Sequence, residues 1–158
     1  MNSEQIIDGN LGVTPENASQ YSGITKVSGG LYIREGASLT APALTECGWL
    51  DIREGASLTA PALTKCGGLD IREGASLTAP ALTEVSGWLY IHKGANLTAP
   101  GWNQLAFGDK YCLYRTPAGK YQAGCRGPWT AAEALAHWSG DSDKCKRFRE
   151  AIIKAEAA

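Results

Sequence analysis

Cysteine and histidine are the side chains best able to attack a substrate or hold a metal, and this chain has five Cys and two His. Cys125 and His137 come nearest to a nucleophile–base pair. A working pair needs a thiolate in an electropositive, accessible setting with the imidazole in hydrogen-bond reach. Arg126 would supply positive charge, but no third residue stands out to orient the base. The plainer reading makes Cys125 a small buried apolar residue and sets His137, beside Trp138, on a helix surface. A zinc site drawn from Cys112, Cys125, His137 and Cys145 has spacings of 13, 12 and 8, with no Cys-x-x-Cys knuckle. The expectation is structural thiols, with no metal and no cofactor.

Other catalytic signatures are missing. There is no Gly-rich phosphate loop, His-Glu zinc helix or Gly-flanked serine. Paired carboxylates occur only as the Glu of a repeated step, Arg34-Glu35, Arg53-Glu54 and Arg72-Glu73, which reads as a solvated charge network. No catalytic residue is assigned, and the expectation is a protein that is not an enzyme.

That Arg-Glu step belongs to a larger unit. REGASLTAPALT occurs three times without a substitution, from Arg34, Arg53 and Arg72, and a looser HKGANLTAP starts at His92. Leu31, Leu50, Leu69 and Leu89 share one position, and Ile33, Ile52, Ile71 and Ile91 another, at steps of 19, 19 and 20 residues. The extra residue is a Ser, present in VSG and absent from CG. A degraded copy precedes them, in which Ile24 and Val27 align with Leu44 and Cys47.

Within each copy the pattern has period 2. Leu31, Ile33, Ala37 and Leu39 point in, while Tyr32, Arg34, Ser38 and Thr40 point out. Gly36 and Pro42 mark the corners. A period near 20 is too short for two packed helices, so each copy reads as one coil of short strands, stacked on the next at about 4.8 Å. The fold class is mainly β: a short right-handed parallel β-solenoid with a small α/β C-terminal cap. The expected divisions are an N-terminal cap or leader over residues 1–16, solenoid over 17–103 and a C-terminal module over 104–158.

After Pro100 the repeat stops. Residues 105–107, 111–114 and 121–123 read as strands around turns at Gly108-Asp109 and TPAG, residues 116–119. Thr130 and Glu133 form a capping box for a helix to about Ser139. Ser142 or Asp143 can open a last helix with Cys145, Phe148, Ile152 and Ala155 on one face.

The pattern L-x-I-x-x-x-A-x-L-x-x-P-x-L-x-x-V/C-x-G, over about residues 17–100, resembles the short leucine-rich β-solenoid repeats of bacteriophage and prophage accessory proteins. More loosely, it is similar to the coils of receptor L domains. YQAGCRGPWTAAEALAHW, residues 121–138, resembles a C-terminal module of phage-encoded proteins with the form Y-x-A-G-C-R then T-x-x-E-A-L-x-H-W. The resemblance implies a phage or prophage origin and no particular reaction. It points to a rigid binding protein that blocks a host defence protein, in the manner of an anti-CRISPR.

Two outward features suit binding. Tyr32, Trp49, Trp88 and Tyr90 lie near the first strand, with Trp102 at the array's end, and such side chains either anchor protein interfaces or cover the Gly corners. Ser38, Ser57, Ser76 and Asn96, with Thr40, Thr59, Thr78 and Thr98, make two polar columns of the kind that can bind ice. Charge is uneven: residues 1–30 and 31–100 each carry −2 and residues 101–158 carry +3. In the last segment Lys144, Lys146, Arg147 and Arg149 would meet an acidic partner or merely solvate the last helix, and Arg126 is a further candidate binding residue. Nucleic acid, a nucleotide or a glycan is the alternative ligand, and self-association through an open end is a further one.

The N-terminus lacks the basic start and long apolar run of a signal peptide, and no 18-residue apolar run exists. With an odd number of Cys, this points to free thiols in a reducing cytoplasm and to no membrane partner. Cys47 and Cys66 fill the position of Val27 and Val85 and should stack close enough to oxidise in vitro.

Overall fold

The computed structural model describes residues 5–108, 112–124 and 126–158. The chain is a parallel β-solenoid of about five turns followed by an antiparallel sheet and two helices. Its strands are β1 (Gln5–Ile7), β2 (Leu11–Val13), β3 (Ile24–Val27), β4 (Leu31–Ile33), β5 (Ser38–Thr40), β6 (Glu46–Ile52), β7 (Ser57–Thr59), β8 (Lys65–Ile71), β9 (Ser76–Thr78), β10 (Glu84–Val85), β11 (Leu89–Ile91) and β12 (Asn96–Thr98).

The repeat sets the register. β4, β6, β8 and β11 stack Leu31, Leu50, Leu69 and Leu89 on one another, and the isoleucines two residues on likewise. β5, β7, β9 and β12 form a separate four-stranded parallel sheet with Leu39, Leu58, Leu77 and Leu97 in line. Leu39, Leu58 and Leu77 are buried, while Leu97 in the last coil is half-buried. The inserted Ser has a visible effect. Where it is absent, β6 and β8 run through the corner as seven-residue strands; where Ser28 and Ser86 are present, the strand breaks into β3 and β4, or β10 and β11. Gly36, Gly55, Gly74 and Gly94 each turn the next corner at φ of 70° to 88°, a conformation that a side chain disfavours.

The ladder starts earlier than the expected boundary at residue 17. β1 pairs with β3 and β2 with β4, both parallel, so residues 5–7 and 11–13, within the expected N-terminal cap or leader, contribute strands to the same sheet.

The C-terminal module is built from β13 (Asn103–Phe107), β14 (Cys112–Arg115), β15 (Tyr121–Ala123) and β16 (Arg126–Trp129), with α1 (Ala131–His137) and α2 (Asp143–Ala157). The capping box is formed: Thr130 Oγ1 accepts from the Glu133 N–H, and Glu133 Oε1 accepts from the Thr130 N–H. Ser142 caps α2. The fourth strand, β16, goes beyond the expected hairpin. The sheet separates two cores. Cys112 and Tyr114 face the solenoid interior, while Leu113, Tyr121 and Ala123 face Phe148 and Ile152 of α2. Among the described residues no helix is long and apolar enough to cross a membrane.

An end coil leaves strand-edge carbonyls that must find donors. Here the Gln122 side chain, fully buried, donates through Nε2 to the carbonyls of both Val85 and Gly87 at 2.8 Å. The N–H and C=O of Gly124 pair with those of Leu89, and the Trp102 indole donates to the Leu82 carbonyl at 2.8 Å. The module thus closes the solenoid's last turn by hydrogen bonding as well as by apolar contact.

Candidate functional site

Residues 50 and 52 point into the core, so residues 49, 51 and 53 and their equivalents point outward from one wall of β4, β6, β8 and β11. Stacking turns these into three columns. The first reads Gly30, Trp49, Gly68, Trp88; the second Tyr32, Asp51, Asp70, Tyr90; the third Arg34, Arg53, Arg72, His92.

In the first column glycine and tryptophan alternate. The ring of Trp49 occupies the space that a side chain at Gly68 would fill, and the Tyr32 ring does the same for Gly30. Across the intervening glycine, Trp49 reaches Trp88, with ring centroids 5.1 Å apart and planes at 88°. Trp88 in turn meets Tyr90 edge to face at 5.9 Å. Edge-to-face contacts of this kind hold rings in place beyond what burial alone provides. Trp88 remains 48% exposed. Of the two expected roles for the tryptophans, Trp49 has the Gly-covering one and Trp88 presents its ring to solvent.

The second column departs from simple alternation. Asp51 and Asp70 sit at outward positions yet are only 4% and 6% exposed, stacked on each other between Tyr32 and Tyr90. Asp51 pairs with Arg53 at 3.2 Å; Asp70 pairs with Arg72 at 3.2 Å and with His92 Nε2 at 3.0 Å. Burial pushes the Asp51 carboxyl above its ordinary value, with Arg53 opposing and the neighbouring Asp70 adding to the rise. Asp51 Oδ1 has no donor among the described residues. The expected Arg-Glu network is therefore replaced: Arg53 and Arg72 engage these aspartates, and Arg34 lies 5.7 Å over the Tyr32 ring. A sequence signal existed, since LDIREG in two consecutive copies must place one Asp on the other. Chemically, the buried carboxylates anchor and partly neutralise a row of half-exposed guanidinium groups beside the aromatic cluster.

The remaining expected site residues lie elsewhere. Trp102 is a correction: it is 8% exposed and belongs to the solenoid core beneath the C-terminal sheet. Arg149 is another. Its guanidinium donates to the carbonyls of Trp138 and Gly140 at 2.6 and 2.7 Å, fastening the end of α1 rather than awaiting a partner. Lys146 and Arg147 are exposed on α2, Lys144 is half-buried, and Arg147 Nε contacts the Asp143 carbonyl at 3.5 Å. Arg126 opens β16, and its side chain lies outside the described residues, as do Cys125 and residues 109–111. The basic helix and the aromatic wall are thus separate surfaces on separate elements.

His137 is exposed, its ring 4.1 Å from that of Trp129. Cys112 is buried on the solenoid side of the C-terminal sheet and Cys145 packs on the helix side, so these two members of the drawn zinc set belong to different cores. Among the described residues no cluster of metal-ligating side chains forms. Cys47 and Cys66 are in-register neighbours, buried and free, and burial pushes the Cys47 thiol up to about 12 and Cys66 well up. The hydroxyl columns stack as expected, with Ser57 Oγ donating to Ser38 Oγ at 3.0 Å.

Compared with known proteins, the chain matches no family model, no curated protein and no solved structure.

Proposed function

We propose that this is a binding protein whose solenoid wall, centred on Trp88, docks a partner protein. The observation that carries this reading is the contiguous cluster of Trp49, Trp88 and Tyr90, with Trp88 48% exposed and the Arg34, Arg53 and Arg72 row alongside. Tryptophan, tyrosine and arginine dominate the energetics of protein interfaces, and they bind best where their own freedom is already lost. Here the backbone is a hydrogen-bonded ladder, the rings pack edge to face, and Asp51 and Asp70 hold the guanidinium groups of Arg53 and Arg72. Asp51 and Asp70 offset the arginines, which favours a protein surface over a phosphate backbone as partner.

The partner is a bacterial host defence protein, blocked by occlusion; the support is the resemblance of the repeat and of residues 121–138 to phage and prophage accessory proteins. The test is affinity capture from host lysate with the wild-type chain and with Trp88→Ala and Tyr90→Ala. Capture of one specific protein by the wild type, reduced at least tenfold by Trp88→Ala, is expected. Equal capture by all three chains would place the binding elsewhere.

A further inference from the structure

We propose that the wall also docks a second copy of this chain, running antiparallel to the first. The three copies of REGASLTAPALT are identical, while certain residues around them alternate from coil to coil. Lys26, Glu46, Lys65 and Glu84 stand in register on β3, β6, β8 and β10 and form a further column. β6 and β8 carry this column and the Gly/Trp column on the same continuous strands. Four successive coils therefore read Lys-Glu-Lys-Glu in one column and Gly30-Trp49-Gly68-Trp88 in the other. Lys26, Lys65 and Glu84 are exposed and Glu46 is half-buried.

A two-fold axis along the strand direction, between the coils of Glu46 and Lys65, reverses the order of the coils and leaves each column facing itself. Lys26 of each copy then faces Glu84 of the other, and Glu46 of each faces Lys65 of the other. In the neighbouring column every tryptophan faces a glycine: Trp49 faces Gly68, and Trp88 faces Gly30, where the Tyr32 ring offers a flat surface. A copy running the same way would set like charge on like. A slip of one coil would set Glu46 against Glu84 or Lys26 against Lys65. Charge thus selects one direction and one register, which identical repeats alone would leave open. Within one chain Glu46 pairs with Lys26 at 2.6 Å and with Lys65 at 3.5 Å. Exposed pairs add little affinity, so the column sets the register and Trp88 supplies apolar contact. The column of Arg34, Arg53 and Arg72 would meet its own kind, which keeps the contact on the Lys/Glu side, and Asp51 and Asp70 damp that repulsion. This rests on the reading of the wall as a docking surface and adds its regulation: a weak dimer covers Trp88 until a partner protein displaces it.

The experiment measures the mass of the purified full chain by sedimentation equilibrium. The wild type is expected to pass from one chain toward two as its concentration rises from the micromolar to the millimolar range. Lys65→Glu sets carboxylate against carboxylate across the axis, and Glu46→Lys sets lysine against lysine. Each variant alone is expected to self-associate at least about tenfold more weakly. An equimolar mixture of the two restores opposite charges at all four positions of the column, and it is expected to form a mixed dimer about as readily as the wild type. A variant that merely folded poorly would give no such rescue. A wild-type chain that stays monomeric throughout, single variants that pair as the wild type does, or a mixture that stays monomeric would overturn the proposal. The measurement needs no host protein, so its failure leaves docking of a host protein to be decided by capture.

Discussion

The ring of Trp49 lies where a side chain at Gly68 would stand, one coil along the same column. This one relationship lets Trp49 and Trp88 touch across two coils, because the coil between them contributes no side chain. It also separates two kinds of glycine. The atoms nearest to a Cβ at Gly68 belong to the Trp49 ring, whereas a Cβ at Gly48 would stand 2.6 Å from the Gly29 carbonyl oxygen and so meet the backbone of the preceding coil.

Gly68→Ala is therefore expected to swing Trp49 outward at a cost of roughly 1 kcal/mol or less, and to break the Trp49–Trp88 contact. Gly48→Ala should cost more, about 2–3 kcal/mol, because coils rather than side chains must part. Denaturant midpoints and tryptophan emission distinguish them. A larger loss in Gly68→Ala than in Gly48→Ala would contradict this assignment.

Gln122 closes the solenoid with two donors, so replacing them by a methyl-tipped chain tests the closure. Gln122→Met should lose about 2–4 kcal/mol, the cost of leaving the Val85 and Gly87 carbonyls without their bonds. Gln122→Glu should be worse near neutrality, since a carboxylate would face two carbonyl oxygens. Its folded-state pKa would then be raised, so its stability should recover as pH falls toward and below the ordinary Glu value of about 4.3. Urea melts at several pH values provide the check; a pH-independent deficit for Gln122→Glu would argue against this geometry.

Burial keeps the stacked thiols protonated: Cys47 is pushed up to about 12 and Cys66 well above its ordinary value. Thiolates are the reactive form. A thiol reagent at pH 8 is expected to leave both unmodified in the folded chain and to label both after denaturation, as read by peptide mass mapping. Rapid native-state labelling of either would show that the corner between Val27 and Val85 opens.

The coil was legible because one inward residue in every two repeats at a fixed step, and a one-residue slip would turn Leu and Ile outward. The first coil was not, because residues 5–13 keep the ladder but lack the REGASLTAP signature. Periodicity puts Asp51 and Asp70 at the outward position of Tyr32, and so on the surface. It describes one strand at a time, whereas their burial comes from neighbours in adjacent columns: tyrosines above and below, arginines beside. The settings of Trp102 and Arg149 escape periodicity for the same reason. Each finds its backbone carbonyl through a contact that only the tertiary fold creates, at Leu82 and at Trp138.

The Asp51–Asp70 stack makes the last prediction. Burial raises the Asp51 pKa, so the folded state favours its protonated form. The contribution is then fully present below the ordinary Asp value of about 3.9 and is lost as pH rises through the higher folded value. At neutral pH the ionised group, with Oδ1 unpaired, opposes folding. Asp51→Asn removes that ionisation while its side-chain oxygen still accepts from Arg53. It should melt at or above the wild-type temperature at pH 7, and the difference between the two proteins should shrink as pH falls below about 4. Asp70→Asn is the contrast, because Asp70 uses both oxygens, on Arg72 and His92. It should melt lower than wild type at pH 7. Thermal melts of the three proteins from pH 3 to 7 decide the matter: an Asp51→Asn chain that melts well below wild type at pH 7 would mean that the Arg53 ion pair outweighs the burial of the acid.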